Sequence, residues 1–317
     1  MIDSGSMNIL QAVVLGLVEG ITEYLPVSST GHLIIAADLL GLGESAAQKE
    51  AVDTFNIVVQ GGAILAVLGL YFPRVLQMCK GLLGKDRDGL KLAINIIVAF
   101  LPAAILGVLF NDIIEEKLFN TPSVITALAL GGIFMIVIDR MKFRKVDSDD
   151  DPENDLVELS TAKALFIGLM QCIAMVPGTS RSMMTIVGGV MAGLRPKQAA
   201  EFSFLLGLPT LGGACVYSLA KNLKESSDAG VPNMFELLGW TPIAAGVIVA
   251  TISAALAVRW LVAFLNKHGL APFGYYRLVL AAVFGGLIAL NVVSIEDPAD
   301  EPNARPDPNT PAVETDG

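Results

Sequence analysis

Apolar positions in this chain run in long blocks rather than in strict alternation. The blocks at about 54–72, 92–110, 122–139, 202–220, 241–262 and 278–294 carry almost no charge. At 1.5 Å per residue each approaches the ~30 Å of a bilayer's hydrocarbon core. They lack the polar stripe that a soluble bundle needs, so they predict six transmembrane helices. Two further blocks are broken. Ile9 to Leu25 stops at Pro26, which cannot continue a helix, and the next apolar leg, Leu33 to Leu42, is ~15 Å long. Phe166–Val176 and Met183–Leu194 repeat that arrangement around Pro177. Each broken block predicts a re-entrant pair of short helices meeting at a turn, Pro26–Gly31 and Pro177–Ser182.

The two broken blocks belong to a longer internal repeat, offset by about 150 residues. "AVVLGLVEGITEYLPVSSTGHL" from Ala12 parallels "ALFIGLMQCIAMVPGTSRSMM" from Ala164, matching Gly16 to Gly168, Glu19 to Gln171 and, with one gap, Pro26 to Pro177. "FNIVV" at Phe55 parallels "FSFLL" at Phe202, and Gly131-Gly132 parallels Gly285-Gly286. Three spans per unit invert the second copy relative to the first. The expected fold is an all-α integral membrane protein of two inverted-topology repeats, each a re-entrant helix pair plus three transmembrane helices. A single membrane domain covers 1–295, with repeat one at about 8–140 and repeat two at about 162–294. An acidic cytoplasmic linker, 146–160, joins the repeats, and a disordered acidic tail, 296–317, follows them.

Composition agrees, with 53% hydrophobic and 16% charged residues, against about 25% charged in soluble domains. The net charge of −10 comes from the acidic linker and tail; the rest of the chain is net positive. Fifteen Lys and Arg gather on one predicted face: Arg74, Lys80, Lys85, Arg87, Lys91, Arg140, Lys142, Arg144, Lys145, Lys163, Arg195, Lys197, Arg259, Lys267 and Arg277. The other face has Lys49, Lys117, Lys221, Lys224 and Arg305. The bias puts the basic face in the cytoplasm and both termini outside. The N-terminus lacks the basic start and cleavage site of a signal peptide. The cysteines, Cys79, Cys172 and Cys215, have no metal or disulfide spacing, and no Walker, zinc or dinucleotide motif occurs. The Gly-Gly pairs at 61, 131, 188, 212 and 285 read as close helix packing.

The chemistry concentrates at the two turns. Glu19 and Glu23 are i and i+4 on one helix face, where two like charges need a cation, a shared proton or water. Ser28, Ser29, Thr30 and His32 follow at the first turn; Ser180, Arg181, Ser182 and Thr185 stand at the second. Helix N-termini at both turns offer free N–H groups to an anion, and Arg181 adds a cation that cannot lose its proton. Ser29 is a candidate nucleophile or an N-cap. His32 is a candidate general acid or base, or a hydrogen-bonding cap.

These motifs resemble the undecaprenyl-diphosphate phosphatase family, the bacitracin-resistance membrane proteins. The Glu-x-x-x-Glu pair with PVSSTGH stands as Glu19, Glu23 and Pro26–His32. The PGxSRSGxT pattern stands as Pro177, Gly178, Ser180, Arg181, Ser182 and Thr185, with Met183 where the family usually has glycine. "EFSFLLGLP" and "YYRLVLA" are similar to family segments, so the likeness covers about 8–294. It implies hydrolysis of undecaprenyl diphosphate to the monophosphate and inorganic phosphate at the outer face of the cytoplasmic membrane. That step recycles the lipid carrier of cell-wall synthesis. It also implies a divalent cation, Mg²⁺ or Ca²⁺, held by Glu19 and Glu23. In this picture Glu19, Glu23, Ser29, His32 and Arg181 are catalytic. Ser28, Ser29, Thr30, Ser180, Arg181, Ser182 and Thr185 receive phosphate. The expected partners are the polyprenyl diphosphate, membrane lipids and a second copy in a homodimer, with no nucleic acid. Inverted repeats and broken helices describe a transporter or flippase for a polyprenyl phosphate or other anion equally well.

Overall fold

The computed structural model of the protein describes residues 7–42, 46–118, 121–142, 156–230 and 232–290. The acidic linker before residue 156 and the acidic tail lie outside the described residues. The described chain forms twelve α-helices, one 3₁₀ turn at Leu156–Glu158, and no strand. In order these are α1 (Ile9–Thr22), α2 (Ser29–Leu39), α3 (Ala46–Leu70), α4 (Phe72–Leu82), α5 (Arg87–Leu118) and α6 (Thr121–Lys142). Then follow α7 (Thr161–Ile173), α8 (Arg181–Met191), α9 (Pro196–Ala229), α10 (Met234–Leu238), α11 (Trp240–His268) and α12 (Ala271–Ala289).

Six of these, α3, α5, α6, α9, α11 and α12, are long and apolar enough to cross a membrane. Their outward side chains are apolar: Leu101, Val108, Val216, Ile252, Leu256 and Val279 all stand exposed. In water that surface would cost heavily; in lipid it costs nothing. α1 and α2, with 14 and 11 residues, reach only ~21 and ~16 Å. α1 opens with a capping box between Asn8 and Gln11, and its last turn gives way ahead of Pro26. α7 opens on Ser160 and ends ahead of Pro177 in the same manner.

Close contacts depend on missing side chains. α1 lies along α11, where a Cβ on Gly16 would strike the Gly246 backbone and one on Gly20 would strike Ser253 and Ala250. α7 lies along α5, with Gly168 against the backbone of Ala99. α6 lies along α12, where Gly132 and Gly274 face each other's carbonyls. Gly62, Gly188 and Gly189 also fill tight seams. The close-packing expectation fails at Gly212, Gly213 and Gly286, which meet no described atom within 4 Å.

The two broken blocks are not buried alike. Every residue of α8 from Ser182 to Val190 is buried, whereas α2 buries only Gly31 and Leu33. The main core joins Tyr24, Leu25 and Val27 of the first turn to α8 and to Phe202, Phe204 and Leu205 of α9. Met183, in place of the family's glycine, belongs to that core; it is the third residue of α8, past the turn.

The last helix corrects the sequence reading. It begins at Ala271 rather than 278, because Asp139 of α6 accepts the Leu270 N–H at 2.6 Å and Pro272 supplies the fixed φ of a first turn. Arg277, counted above among the charges of the basic face, is therefore inside α12 and fully buried.

Candidate functional site

The first turn runs Glu23 to Val27 and delivers the chain to α2; the second runs Ala174 to Thr179 and delivers it to α8. Both end on a serine in the left-handed region, Ser28 at φ 73° and Ser180 at φ 76°. Among the described residues these are the only non-glycine residues with positive φ. Such backbone persists where surroundings over-determine it, and it clusters at functional sites.

Glu23 joins the two turns. Its Oε2 accepts from the Ser29 hydroxyl at 2.7 Å, and its Oε1 accepts from Arg181 NH2 at 2.9 Å. Arg181 donates its other terminal nitrogen to the Ser203 carbonyl at 3.0 Å and lies 5.5 Å above the Tyr24 ring. Gly207 makes room for the guanidinium, since a Cβ there would meet NH1 at 3.0 Å. Arg181 Nε is buried without a partner. Glu19, one turn before Glu23, is fully buried, and neither of its oxygens has a donor. A Glu–Arg–Glu group with a spare carboxylate and spare guanidinium nitrogen holds both signs of charge ready for a ligand carrying phosphoryl oxygens and a cation.

His32 turns away from Ser29. Its Nδ1 meets the Ser28 carbonyl at 2.7 Å and its Nε2 meets the Tyr276 hydroxyl at 2.7 Å. The group within reach of the Ser29 proton is thus Glu23, not His32. Thr30 is half-buried in the first turn of α2. In the second turn Ser180 Oγ accepts from the Met183 N–H at 3.3 Å, as an N-cap, and lies 3.0 Å from Ser182 Oγ. Ser182 donates to the Leu25 carbonyl at 2.8 Å, a second tie between the turns. Thr185 bonds the Arg181 carbonyl at 2.9 Å and Ser203 Oγ at 2.6 Å, which braces Arg181 from behind. Gln171, the counterpart of Glu19, is buried and its Oε1 accepts from Thr210 at 3.4 Å. The carboxylates thus come from the first half and the guanidinium from the second.

Among the described residues no group of three or more His, Cys, Asp and Glu side chains converges. The two-carboxylate set with orphaned Glu19 oxygens fits a hard cation that completes its shell with water and phosphate oxygens.

Tyr24, Ser203, Tyr276 and Arg277, at or beside this site, were not assigned a site role by sequence, although the family-like segments "EFSFLLGLP" and "YYRLVLA" contain the last three. The signal for Arg277 was an arginine inside an apolar run, "YYRLVLAAVFGGLIAL". An open groove of about 660 Å³ starts near the second turn, at Thr179 and Met183. It runs between α6 and α7–α8, lined by Leu130, Phe134, Phe166, Met170 and Met191.

The family model described as bacitracin resistance protein BacA matches residues 12–283. The chain is 40% identical over 288 residues to "Undecaprenyl-diphosphatase 1" of Mesorhizobium japonicum, covering 90% of this chain and 98% of that one. It is 43% identical over 272 residues to an "Undecaprenyl-diphosphatase" of Sorangium cellulosum, 86% of this chain and 84% of that one. A protein of the same name from Pseudomonas putida is 43% identical over 279 residues, 88% of this chain and 92% of that one.

Proposed function

The chain belongs to the bacitracin resistance protein BacA family, and from that premise we infer that it is an undecaprenyl-diphosphatase. It hydrolyses undecaprenyl diphosphate to the monophosphate and inorganic phosphate, an activity tied to cell-wall synthesis and bacitracin resistance. The observation that carries the mechanism is Glu23 bridging Ser29 and Arg181.

Ser29 Oγ attacks the terminal phosphorus, and its proton passes to Glu23 Oε2, 2.7 Å away. The bond to the bridging oxygen breaks, and undecaprenyl monophosphate leaves. Water then hydrolyses the phosphoserine and restores the Ser29 hydroxyl. Protonation of Glu23 weakens its ion pair with Arg181, so the guanidinium is released towards the phosphoryl oxygens as charge develops on them. The free N–H groups at the starts of α2 and α8 add to that field. Glu19 and Glu23 would hold the divalent cation, which when bound neutralises diphosphate charge.

The architecture supports two re-entrant pairs within an inverted repeat. α1 lies along α11 as α7 lies along α5, the two short pairs each turn at a left-handed serine, and none of the four short helices could cross a bilayer. The site then opens to the outer face of the cytoplasmic membrane, with the basic ends inside. The 660 Å³ groove, apolar and open to the lipid side, takes the isoprenyl chain nearest the diphosphate.

The test is phosphate release from undecaprenyl diphosphate in detergent micelles, where there are no two sides and transport has no meaning. The wild type should turn over and Ser29→Ala should not. Acid quenching with labelled substrate should trap phosphate on the wild type alone. An inactive wild type in micelles that moves polyprenyl phosphate across vesicles would favour the transporter instead.

A further inference from the structure

Tyr276 and Arg277, neighbours on α12, reach both turns at once. The Tyr276 hydroxyl meets His32 Nε2, whose Nδ1 meets the Ser28 carbonyl. A carbonyl only accepts, so Nδ1 carries the proton; in the neutral ring Nε2 then accepts and the phenol donates. The rings lie parallel, 5.8 Å between centroids. Arg277 donates through NH2 to the Gly178 carbonyl of the second turn at 2.8 Å. The same guanidinium grips α6, NH2 to Ala127 O at 3.1 Å and Nε to Leu128 O at 3.3 Å.

Both gripped turn residues, Ser28 and Gly178, are left-handed, at φ 73° and 88°. α12 therefore holds one carbonyl of each turn, directly at Gly178 and through His32 at Ser28, of which only Ser28 is a non-glycine residue at positive φ. Arginine is a costly choice if packing is all that is needed here. Arg277 is fully buried, no carboxylate among the described residues pairs with it, and NH1 has no partner. An unpaired buried cation weakens a fold, and an apolar side chain of similar volume would serve packing better. A planar fork, by contrast, can hold carbonyls of two elements in one geometry. Gly131 provides the space: a Cβ there would lie 2.6 Å from Arg277 NH2.

We propose that Tyr276 and Arg277 are positioning residues for the diphosphatase reaction, setting the register of the Ser29 turn against the Arg181 turn so that Glu23 can bridge them. The idea rests on the reading above, in which those two turns act on the phosphoryl group. It requires their effect to fall on turnover rather than on substrate capture, because both act through the two turns that they hold. Small misplacements of reacting groups cost up to about 10²-fold in rate.

The experiment measures kcat and KM for phosphate release from undecaprenyl diphosphate by the full-length protein in detergent micelles, with thermal unfolding recorded on the same samples. Tyr276→Phe should lower kcat about tenfold and Arg277→Gln about 10²-fold. Arg277→Lys should recover part of the loss. KM and the unfolding midpoint of Tyr276→Phe should stay at wild-type values. Unchanged kcat in both Tyr276→Phe and Arg277→Lys would overturn the proposal. So would a rise in KM at constant kcat, which means direct contact with substrate, or activity lost only in step with folded protein. A wild type that releases no phosphate would sink the enzymatic reading itself, whereas an active wild type with indifferent variants sinks this proposal alone.

Discussion

Glu23 is both the acceptor for the Ser29 proton and the counter-ion of Arg181. The two roles predict separable phenotypes. Arg181→Ala removes the charge that meets the phosphoryl and should cost about 10³-fold or more in kcat. It also leaves Glu23 buried beside Glu19 without the guanidinium, which should destabilise the metal-free protein by roughly 3–5 kcal/mol. Adding Glu23→Gln in the Arg181→Ala background should restore the unfolding midpoint and leave the enzyme dead. Arg181→Lys keeps charge without the fork and should fall between. If the double variant regained turnover along with stability, Arg181 would be a structural counter-ion only. Glu19 makes a different prediction, because its oxygens lack any donor. Loss of an outer partner of a metal ligand already weakens metal binding 10–100-fold, so Glu19→Gln should raise the Mg²⁺ or Ca²⁺ needed for half activity by roughly tenfold or more. Titrating activity against free cation in a chelator buffer measures this, and an unshifted curve would remove Glu19 from the cation site.

At the scale of elements, the carboxylates are placed by the seam between α1 and α11. Gly20 follows Glu19 and has Ser253 and Ala250 where its Cβ would be. Gly20→Val should push α1 off α11 and cost about 1–3 kcal/mol, seen as a lower unfolding midpoint together with lost activity. Gly213, with open space around it, should accept the same change silently. The groove makes a parallel prediction. Leu130→Trp at its wall should raise KM for undecaprenyl and farnesyl diphosphate alike, since both carry the first isoprene units; an unchanged KM for farnesyl diphosphate would place those units elsewhere. The helix breaks at Pro26 and Pro177, the glutamate pair and Arg181 could all be read in the sequence. They are written in local rules: a proline's missing donor, a four-residue spacing, a charge in an apolar run. Ser29 with Glu23 could be suspected but not joined, since Pro26 and a left-handed Ser28 must first fold the chain back by six residues. His32 was assigned towards catalysis because it neighbours the hydroxyls in sequence; its partner, Tyr276, is 244 residues away and could not be seen. Arg277 was missed for a different reason. An apolar window drops a charged residue, so the span was started just after it, while the true start depends on a cap lent by Asp139 of another helix.

For the whole molecule, the proposal that stands or falls on one measurement is orientation. Arg277 no longer counts as a loop charge, yet the basic bias survives its removal. The end that carries it is tied together by the structure: Arg74 of α4 pairs with Glu201 of α9 at 2.9 Å, and Arg140 of α6 donates to Tyr275 of α12 at 3.2 Å. Lys80, Lys85, Arg87 and Lys91 lie at the α4–α5 connection on that same end, and Lys163, Arg195 and Lys197 lie where α7 and α9 begin. Lys221 and Lys224 lie at the far end of α9, whose 34 residues extend ~51 Å, well beyond the hydrocarbon core. The positive-inside rule then places the α4–α5 connection in the cytoplasm and the C-terminal turns of α9 outside. The cysteines to replace first are Cys79, Cys172 and Cys215, of which Cys79 is exposed. In that background, Asp228→Cys, exposed at the end of α9, should react with a membrane-impermeant maleimide on intact cells. Lys85→Cys, exposed at the α4–α5 connection, should react only after permeabilisation. Reversed labelling would place the Ser29 and Arg181 turns opening to the cytoplasm, and hydrolysis would then act on carrier lipid presented from inside. Equal labelling of both from outside would mean that the chain inserts both ways, an arrangement that its loop charges oppose.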